Sequence, residues 1–390
     1  MLTKITLDNF KSFKNRVTVD LMKTNYTILP QNVADNGVLK GCIFVGANAS
    51  GKSNIILSIK LLLDFLFLEK NINSGIFRCL FGEKNFYSLE YEFLIEKKTI
   101  KYSFEVDAAK NIITENLYLD GTHMLERMGT NARSFIVDSS GVNYNKDDVG
   151  SDTLFLRTLY FNTKFASNPV LSAWMDYLKN SIYINLFEKK IIPYGTKQLS
   201  LKSYLENGGC EAINSFFNEY NFEQNIEYEH SSLGRGFTFI VGDDDSQKYI
   251  FFRRKGIDVP IPFGEESLGN RNLLQILPAF QNVIENGGML LIDEFSSGFH
   301  NDLERLLVRY FMEKANHSQI LFVSHSTNLL SNSILRPDQE YAVEFQNENG
   351  SSVKRFSSEQ PRSAQNIEKM YVSGVFGGLP GYKEVKDEAE

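Results

Sequence analysis

The stretch Phe44–Asn54, FVGANASGKSN, constrains this chain more than any other. Gly46 to Ser53 satisfies G-x-x-x-x-G-K-[ST] at each fixed position. Average composition produces that pattern in about one or two chains per hundred of this length, so the match is specific. Its glycines let backbone N–H groups turn inward around phosphate oxygens, and a following helix adds positive potential at its N-terminus. The apolar run Cys42–Val45 before it reads as a buried strand, and Asn54–Glu69 after it as a long apolar helix. Strand, glycine-rich loop and helix is the arrangement a phosphate-binding loop requires. Gly46, Asn48, Ser50, Gly51 and Asn54 would then surround the phosphates. Lys52 would reach the β- and γ-phosphates, and Ser53 would ligate Mg²⁺.

A second element supplies carboxylates. Met289–Phe295 reads MLLIDEF, an apolar strand ending in two acids. Asp293 would hold Mg²⁺, and Glu294 would orient or deprotonate an attacking water. Kinases and small GTPases have no need of the second acid, whereas water activation does. His325 follows the apolar strand Gln319–Val323, at the edge where open α/β sheets bind ligands. A neutral imidazole there can sense a γ-phosphate. Phe263–Leu274, FGEESLGNRNLL, places Ser267 and Gly269 before an amphipathic helix over Asn270–Asn286. Ser267 is either a cap for that helix or part of a second anion site. A chain needs the second site only if two chains share their nucleotides.

The remaining pattern places an α/β core at both ends of the chain. Residues 3–21 alternate as two short strands turning at Lys14–Asn15, and residues 86–106 as an antiparallel hairpin turning at Glu96–Lys98. Residues 152–220 read as mostly helical, with Trp174, Tyr177, Leu178 and Ile182 at helical spacing. Strands return over 226–262, including Thr238–Val241 and Tyr249–Arg253 around the acidic turn Gly242–Ser246. Asp302–Ala315 is a further helix. The expected division is a discontinuous P-loop core over 1–84 and 263–345, a mixed hairpin and helical insertion over 85–262, and a tail over 346–390 that completes or caps the core.

Composition narrows the function classes. Apolar residues are 42% of the 390, with 31 Phe and 18 Tyr, as in a globular protein. A net charge of −7 argues against a broad nucleic-acid-coating surface. Arg253, Arg254 and Lys255, and Lys97, Lys98 and Lys101, are the local basic stretches; solvated hairpin tips and phosphate contacts are both open for them. Ile55–Leu68 is too short for a membrane span and is interrupted by Lys60 and Asp64. MLTKITLDNF lacks a signal-peptide layout, and Cys42, Cys79 and Cys210 lack metal spacing. These features place the protein in the cytoplasm, as an expectation.

The order of phosphate loop, long insertion, Ser-x-Gly helix, Asp-Glu strand and histidine resembles the ABC-type ATPase heads of the SMC/RecF/OLD class. NFKSF (Asn9–Phe13), GANASGKS, ESLGN, LLIDEF, FSSGFH (Phe295–His300) and SHS carry the resemblance, over about 45% of the chain. More narrowly, ESLGNRNLLQILPAF, SHSTNLL and NIEKMYVSGVFGGLP look like AAA-type ATP-binding proteins of bacterial defence operons, of the RloA-like and PARIS-like kinds. The resemblance implies an α/β P-loop head with an antiparallel β lobe and a helical insertion. It implies ATP and Mg²⁺ as ligands and Glu294, Lys52 and His325 as the hydrolytic residues. It implies a homodimer or higher homo-oligomer that shares its sites through Ser267 and Gly269, beside a separate effector such as a TOPRIM-type nuclease or another toxin. The signature departs from LSGGQ, since only Ser267 and Gly269 align. The Mg²⁺-contacting glutamine of this class is sought in TLFLRTLYFN (Thr153–Asn162), with Asn162 as the candidate and Tyr160 as the alternative. The other function considered is a RecF-like repair ATPase that binds DNA directly, through Arg253 and Arg254.

Overall fold

The computed structural model describes residues 1–68, 74–110, 112–137, 143–195, 199–230 and 248–379. The expected strand Thr238–Val241 and turn Gly242–Ser246 lie outside them. Contacts group the chain into two compact units. The first is Met1–Gly195 with Val283–Ser297 and Asn301–Glu390, and the second is Thr196–Asn282 with Gly298–His300.

The first unit opens with β1 (Leu2–Asp8) and β2 (Val17–Asp20), in which Ile5 faces Val19 and Leu7 faces Val17. β3 (Gly41–Val45) runs into the glycine-rich loop, and α1 (Lys52–Phe67) leaves it. Successive hairpins follow as β4 (Phe86–Ile95), β5 (Lys98–Asp107), β6 (Ile112–Leu119), β7 (Thr122–Met128), β8 (Asn131–Val137) and β9 (Asn143–Lys146). In β4 each second side chain is buried, as its alternation requires. These hairpins extend from β1 in an eight-stranded antiparallel sheet of order β2-β1-β4-β5-β6-β7-β8-β9. The hairpin segment therefore groups with the phosphate-loop core, and the contacts divide the chain elsewhere than at residues 85 and 262.

Next come α2 (Phe155–Thr163) and α3 (Pro169–Lys179), the latter capped by Asn168. Residues 152–220 are mostly helical as expected, with one departure. Ile182 lies on β10 (Ile182–Asn185), which is followed by the antiparallel β11 (Lys190–Pro193). A four-residue apolar strand buried on both faces has no period to distinguish it from a helical turn.

In the second unit α4 (Leu201–Gly208) and α5 (Glu211–Glu219) precede β12 (Gln224–His230), β13 (Lys248–Arg254) and β14 (Ile261–Pro262), a three-stranded sheet. α6 (Leu268–Asn286) follows. The core then resumes with β15 (Gly288–Asp293), α7 (Asn301–Lys314), β16 (Ser318–Val323), β17 (Glu340–Phe345), β18 (Ser351–Arg355) and α8 (Ile367–Val372). The second sheet of the first unit has the order β11-β10-β15-β16-β3-β17-β18. Its five inner strands are parallel.

α1 lies between the two sheets. It packs on β15 and β16, while Tyr91 Oη donates to Ser58 O at 2.6 Å and Phe104 meets Phe65 edge-on at 5.8 Å. Ile55, Ile56, Ile59, Leu62, Leu63 and Leu66 are all fully buried, as a helix covered on both sides requires.

One buried ion pair starts α2. Glu115 on β6 and Arg127 on β7 are almost completely buried and meet at 2.9 Å. Glu115 also accepts the N–H groups of Phe155 (2.7 Å) and Leu156 (3.2 Å) and the Tyr102 hydroxyl (2.8 Å). The carboxylate thus caps a helix that has no cap of its own in sequence. Arg127→Ala leaves that carboxylate buried and unpaired, and is expected to destabilise the first unit by about 3–5 kcal/mol. The single tryptophan, Trp174, packs against Phe93 and Tyr102 and reports the loss as an earlier fluorescence transition in urea.

Candidate active site

The phosphate loop is held by parts of the chain far away in sequence. Gly46 passes so close to β17 that a Cβ on it would lie 2.2 Å from Val343 O. Gly51, at φ +108°, would collide with the hydroxyls of Ser351 and Ser12. Ser351 Oγ donates to Ser50 O at 2.6 Å, and Asn54 Nδ2 donates to Ser12 Oγ at 2.8 Å. Ala49 is itself left-handed, at φ 60°. The fixed glycines of the motif are thus required by close approach and backbone conformation.

A cavity of about 890 Å³ is lined by residues 48–54 and by Phe187, Glu294, Ser297 and His325. That volume suits a nucleotide. The buried Lys52 donates to Gly46 O at 3.0 Å and to Ala47 O at 2.7 Å. Ser53 Oγ donates to Asp293 Oδ1 at 2.8 Å. A hydroxyl and a carboxylate converge there, and Mg²⁺ takes such a pair together with water and phosphate oxygens. Ser50 Oγ is buried without a hydrogen-bond partner among the described residues, a free polar group in a phosphate cradle. These residues fit ATP and Mg²⁺.

Glu294 adopts φ 57°, in the left-handed region that costs a non-glycine residue roughly 1–3 kcal/mol. The turn sets its carboxylate at the cavity, where Oε2 lies 4.0 Å from His325 Nε2 and accepts Ser297 Oγ at 3.2 Å. The His325 N–H donates to Ser296 Oγ at 3.2 Å, which ties the two strand ends together.

Burial lowers the pKa of Lys52, opposed by Glu294 and Asp293. Burial raises that of Asp293, opposed chiefly by the Ser53 hydrogen bond. Burial, then the Lys52 charge, lowers His325 below 6.5, and Glu294 opposes them. The imidazole is therefore neutral at pH 7.

Lys52, Ser53, Asn48, Ser50, Gly51, Asn54, Glu294 and His325 thus meet at one cavity, with Asp293 joined through Ser53. Asn162 does not line it. Its Nδ2 donates to Thr158 O and Tyr144 Oη from an exposed position on α2. Tyr160 on the same helix is buried against Phe67 and Phe165. The residue level with Asp293 on the neighbouring parallel strand is Asn185, the last of β10. Leu186 N–H donates to Asp293 O at 3.3 Å, and the exposed Phe187 follows into the cavity wall. Sequence spacing misses Asn185 beside Asp293 and Phe187 at the cavity because only pairing between distant strands places them. The one signal available is an apolar run, IYIN, that ends in a polar residue.

Ser267 lies in the second unit, at the start of α6. Its Oγ accepts Asn270 N–H at 3.3 Å, the capping bond foreseen for it, and Gly269 is in the first turn. The basic stretches are largely neutralised. Arg253 pairs with Glu227 and Arg254 with Glu266, while Lys98 pairs with Asp120 and Lys101 with Glu90. No helix among the described residues is long and apolar enough to cross a membrane.

A phosphate loop between a parallel strand and a helix, with acids at the end of a nearby parallel strand, defines an α/β P-loop NTPase head with an antiparallel β lobe. A family model described as "AAA domain, putative AbiEii toxin, Type IV TA system" matches residues 43–331, and the chain belongs to that family. No curated protein matches the chain. Among solved structures, the SMC head domain from Thermotoga maritima is 16% identical, with a TM-score of 0.48 over 90% of this chain and 97% of that one. An SMC head bound to the C-terminal winged-helix domain of ScpA is 13% identical, with a TM-score of 0.48 over the same shares. An SMC head with an extended coiled coil, bound to a ScpA C-terminal domain derived from Pyrococcus furiosus, is 13% identical, with a TM-score of 0.45 over 90% and 95%.

Asn185 Oδ1 accepts the Glu188 N–H at 2.8 Å in the turn that carries Phe187 to the cavity, so Asn185→Ala is expected to weaken nucleotide binding by roughly three- to tenfold, the worth of one such hydrogen bond. Asn162→Ala is expected to leave it unchanged. Calorimetric titration with Mg²⁺·ADP compares the two.

Proposed function

We propose that the chain binds Mg²⁺·ATP in the phosphate-loop cavity and hydrolyses the bond between the β- and γ-phosphates. The observation that carries this is the Glu294 carboxylate, held in a left-handed turn beside His325 at a cavity floored by the Lys52 loop. Glu294 takes a proton from a water as its oxygen attacks the γ-phosphorus in line, and the bond to the β-phosphate oxygen breaks. Lys52 neutralises charge on the β- and γ-phosphates, and the neutral His325 positions the γ-phosphate and the water. Ser53 and Asp293 would hold Mg²⁺, which would supply electrostatic stabilisation of the phosphate oxygens. Membership of an AAA family supports ATP as the nucleotide.

Two copies would close head to tail over two ATP molecules, each lending Ser267 and Gly269 at the N-terminus of its α6 to the partner's phosphates. The output would be conformational, with ATP closing the pair and hydrolysis opening it. In the cell the chain would act in the cytoplasm as sensor or regulator of an anti-phage system, beside a separate nuclease or toxin. The family description, which names a toxin–antitoxin system, supports a role alongside a second protein. Direct DNA binding of the RecF kind is the weaker alternative, because Arg253 and Arg254 already hold carboxylates.

Glu294→Gln should retain ATP and lose hydrolysis by roughly 10²- to 10⁴-fold. Light scattering of that variant should give twice the monomer mass with Mg²⁺·ATP, and Ser267→Arg should prevent the doubling. A monomer with ATP bound would remove the shared-site mechanism and leave Ser267 as a helix cap only.

Protonating His325 would place a cation 4.0 Å from Glu294 and weaken it as a base. Hydrolysis is therefore expected to hold level at pH 7 and to fall below pH 6.5, as the lowered pKa of the imidazole is approached. His325→Gln should lack that component of the pH–rate profile while showing a lower plateau.

A further inference from the structure

The end of the described chain, Asn366–Leu379, touches the phosphate loop and the segment after His325. α8 is capped by Asn366, whose side chain accepts Lys369 N–H at 2.8 Å. From α8, Glu368 Oε1 accepts Thr327 Oγ1 at 2.6 Å, two residues beyond His325. Phe376 is buried and stacks face to face on Phe356, with centroids 3.9 Å apart and planes at 7°. Gly377 and Gly378 then take consecutive left-handed conformations, φ +77° and +76°. They lay the backbone against the loop so closely that a Cβ on Gly378 would stand 3.3 Å from Val343 O and 3.6 Å from Gly46 Cα. Gly378 O accepts the Ala47 N–H at 2.8 Å and the Tyr371 hydroxyl at 3.4 Å.

The Ala47 N–H and the Gly46 carbonyl belong to one peptide unit. Its oxygen accepts the Lys52 ammonium at 3.0 Å, and its N–H donates to Gly378. A cation at the oxygen polarises the amide and makes its N–H a stronger donor. Phosphate oxygens compete for the same ammonium and, being anionic, take most of its charge. The bond to Gly378 is therefore strongest when Lys52 faces the loop carbonyls alone.

We propose that residues 366–379 form a strap that reads phosphate occupancy through the Gly46–Ala47 peptide. The strap is latched while Lys52 faces the loop carbonyls and loosens when phosphate oxygens share its charge. Glu368 joins the same strap to the His325 segment, so its release reaches a group that faces the γ-phosphate. The proposal rests on the nucleotide reading above, and deepens it by naming the segment that carries the signal away from the site.

The test is hydrogen–deuterium exchange of the whole chain with and without saturating Mg²⁺·AMP-PNP, with binding measured by calorimetry on the same preparation. Amides of residues 366–379 should exchange roughly three- to tenfold faster with nucleotide, the effect of weakening one hydrogen bond in a local opening. Amides of the β4–β5 hairpin should not change. Gly378→Ala, strained at its left-handed position, should exchange fast in this segment before nucleotide is added. Bound nucleotide with unchanged or slower exchange over 366–379 overturns the strap and leaves the nucleotide site standing. Absence of calorimetric binding overturns both.

Discussion

The side-chain amide of Gln319 joins the two sheets of the first unit, and the position of the phosphate loop follows from that joint. Gln319 sits on β16 with no exposed surface. Its Oε1 accepts Leu2 N–H at 2.7 Å and the Tyr177 hydroxyl at 2.6 Å. Its Nε2 donates to Leu2 O at 2.9 Å and to Leu39 O at 3.0 Å. Both lone pairs and both protons of the amide are thereby used. β1 is fixed to the parallel sheet as though by a short strand pairing, and Tyr177 brings α3 to the same point. Any partner lost here leaves a buried polar group unsatisfied, at about 1–3 kcal/mol. With β1 fixed, the antiparallel sheet that grows from it closes over α1, and the N-terminus of α1 is the end of the loop.

The cavity is consequently assembled from both ends of the chain. Ser12, Ser50 and Ser351 meet in one set of hydrogen bonds, with Ser351 Oγ at 2.7 Å from Ser12 Oγ and Ser351 N–H donating to Ser12 O at 2.7 Å. This contact explains why the opening motif NFKSF accompanies the loop. Ser12 sits where it fixes the backbone around Gly51 and holds Asn54 through its side chain. The β17–β18 hairpin contributes equally, since Val343 O limits Gly46 to glycine.

What could be read from the sequence divides along the same physical line. The phosphate loop, the Asp293–Glu294 strand and His325 were legible because each is a local pattern whose chemistry depends on adjacent residues. The alternating hairpin from Phe86 was legible because one covered face imposes period two. β10 was not, since four residues buried on both faces carry no period, and its place beside β15 depends on pairing across more than a hundred positions. Asn162 was drawn in by the resemblance alone, as a stand-in for a glutamine, and it lies exposed on α2 outside the cavity lining. The charges of Arg253 and Arg254 looked available in one dimension, but Glu227 and Glu266 are brought to them by β12–β13 pairing and by the turn before α6.

The contacts of Lys52 and Glu294 also bear on how the site would work. Lys52 is buried, and its desolvation is offset by two loop carbonyls and by the nearby acids. Phosphate oxygens would meet an ammonium already in place, so the Lys52 side chain itself needs little reorganisation. Glu294 is likewise preset by its left-handed turn, with Ser297 holding the carboxylate. A backbone strained in this way persists only where its surroundings over-determine it. Here β15 is paired in parallel on both sides, and Leu186 holds the Asp293 carbonyl just before the turn. The rigidity that would aim Glu294 at a water thus comes from the sheet, while the charge that would respond to a ligand sits on Lys52 at the start of α1.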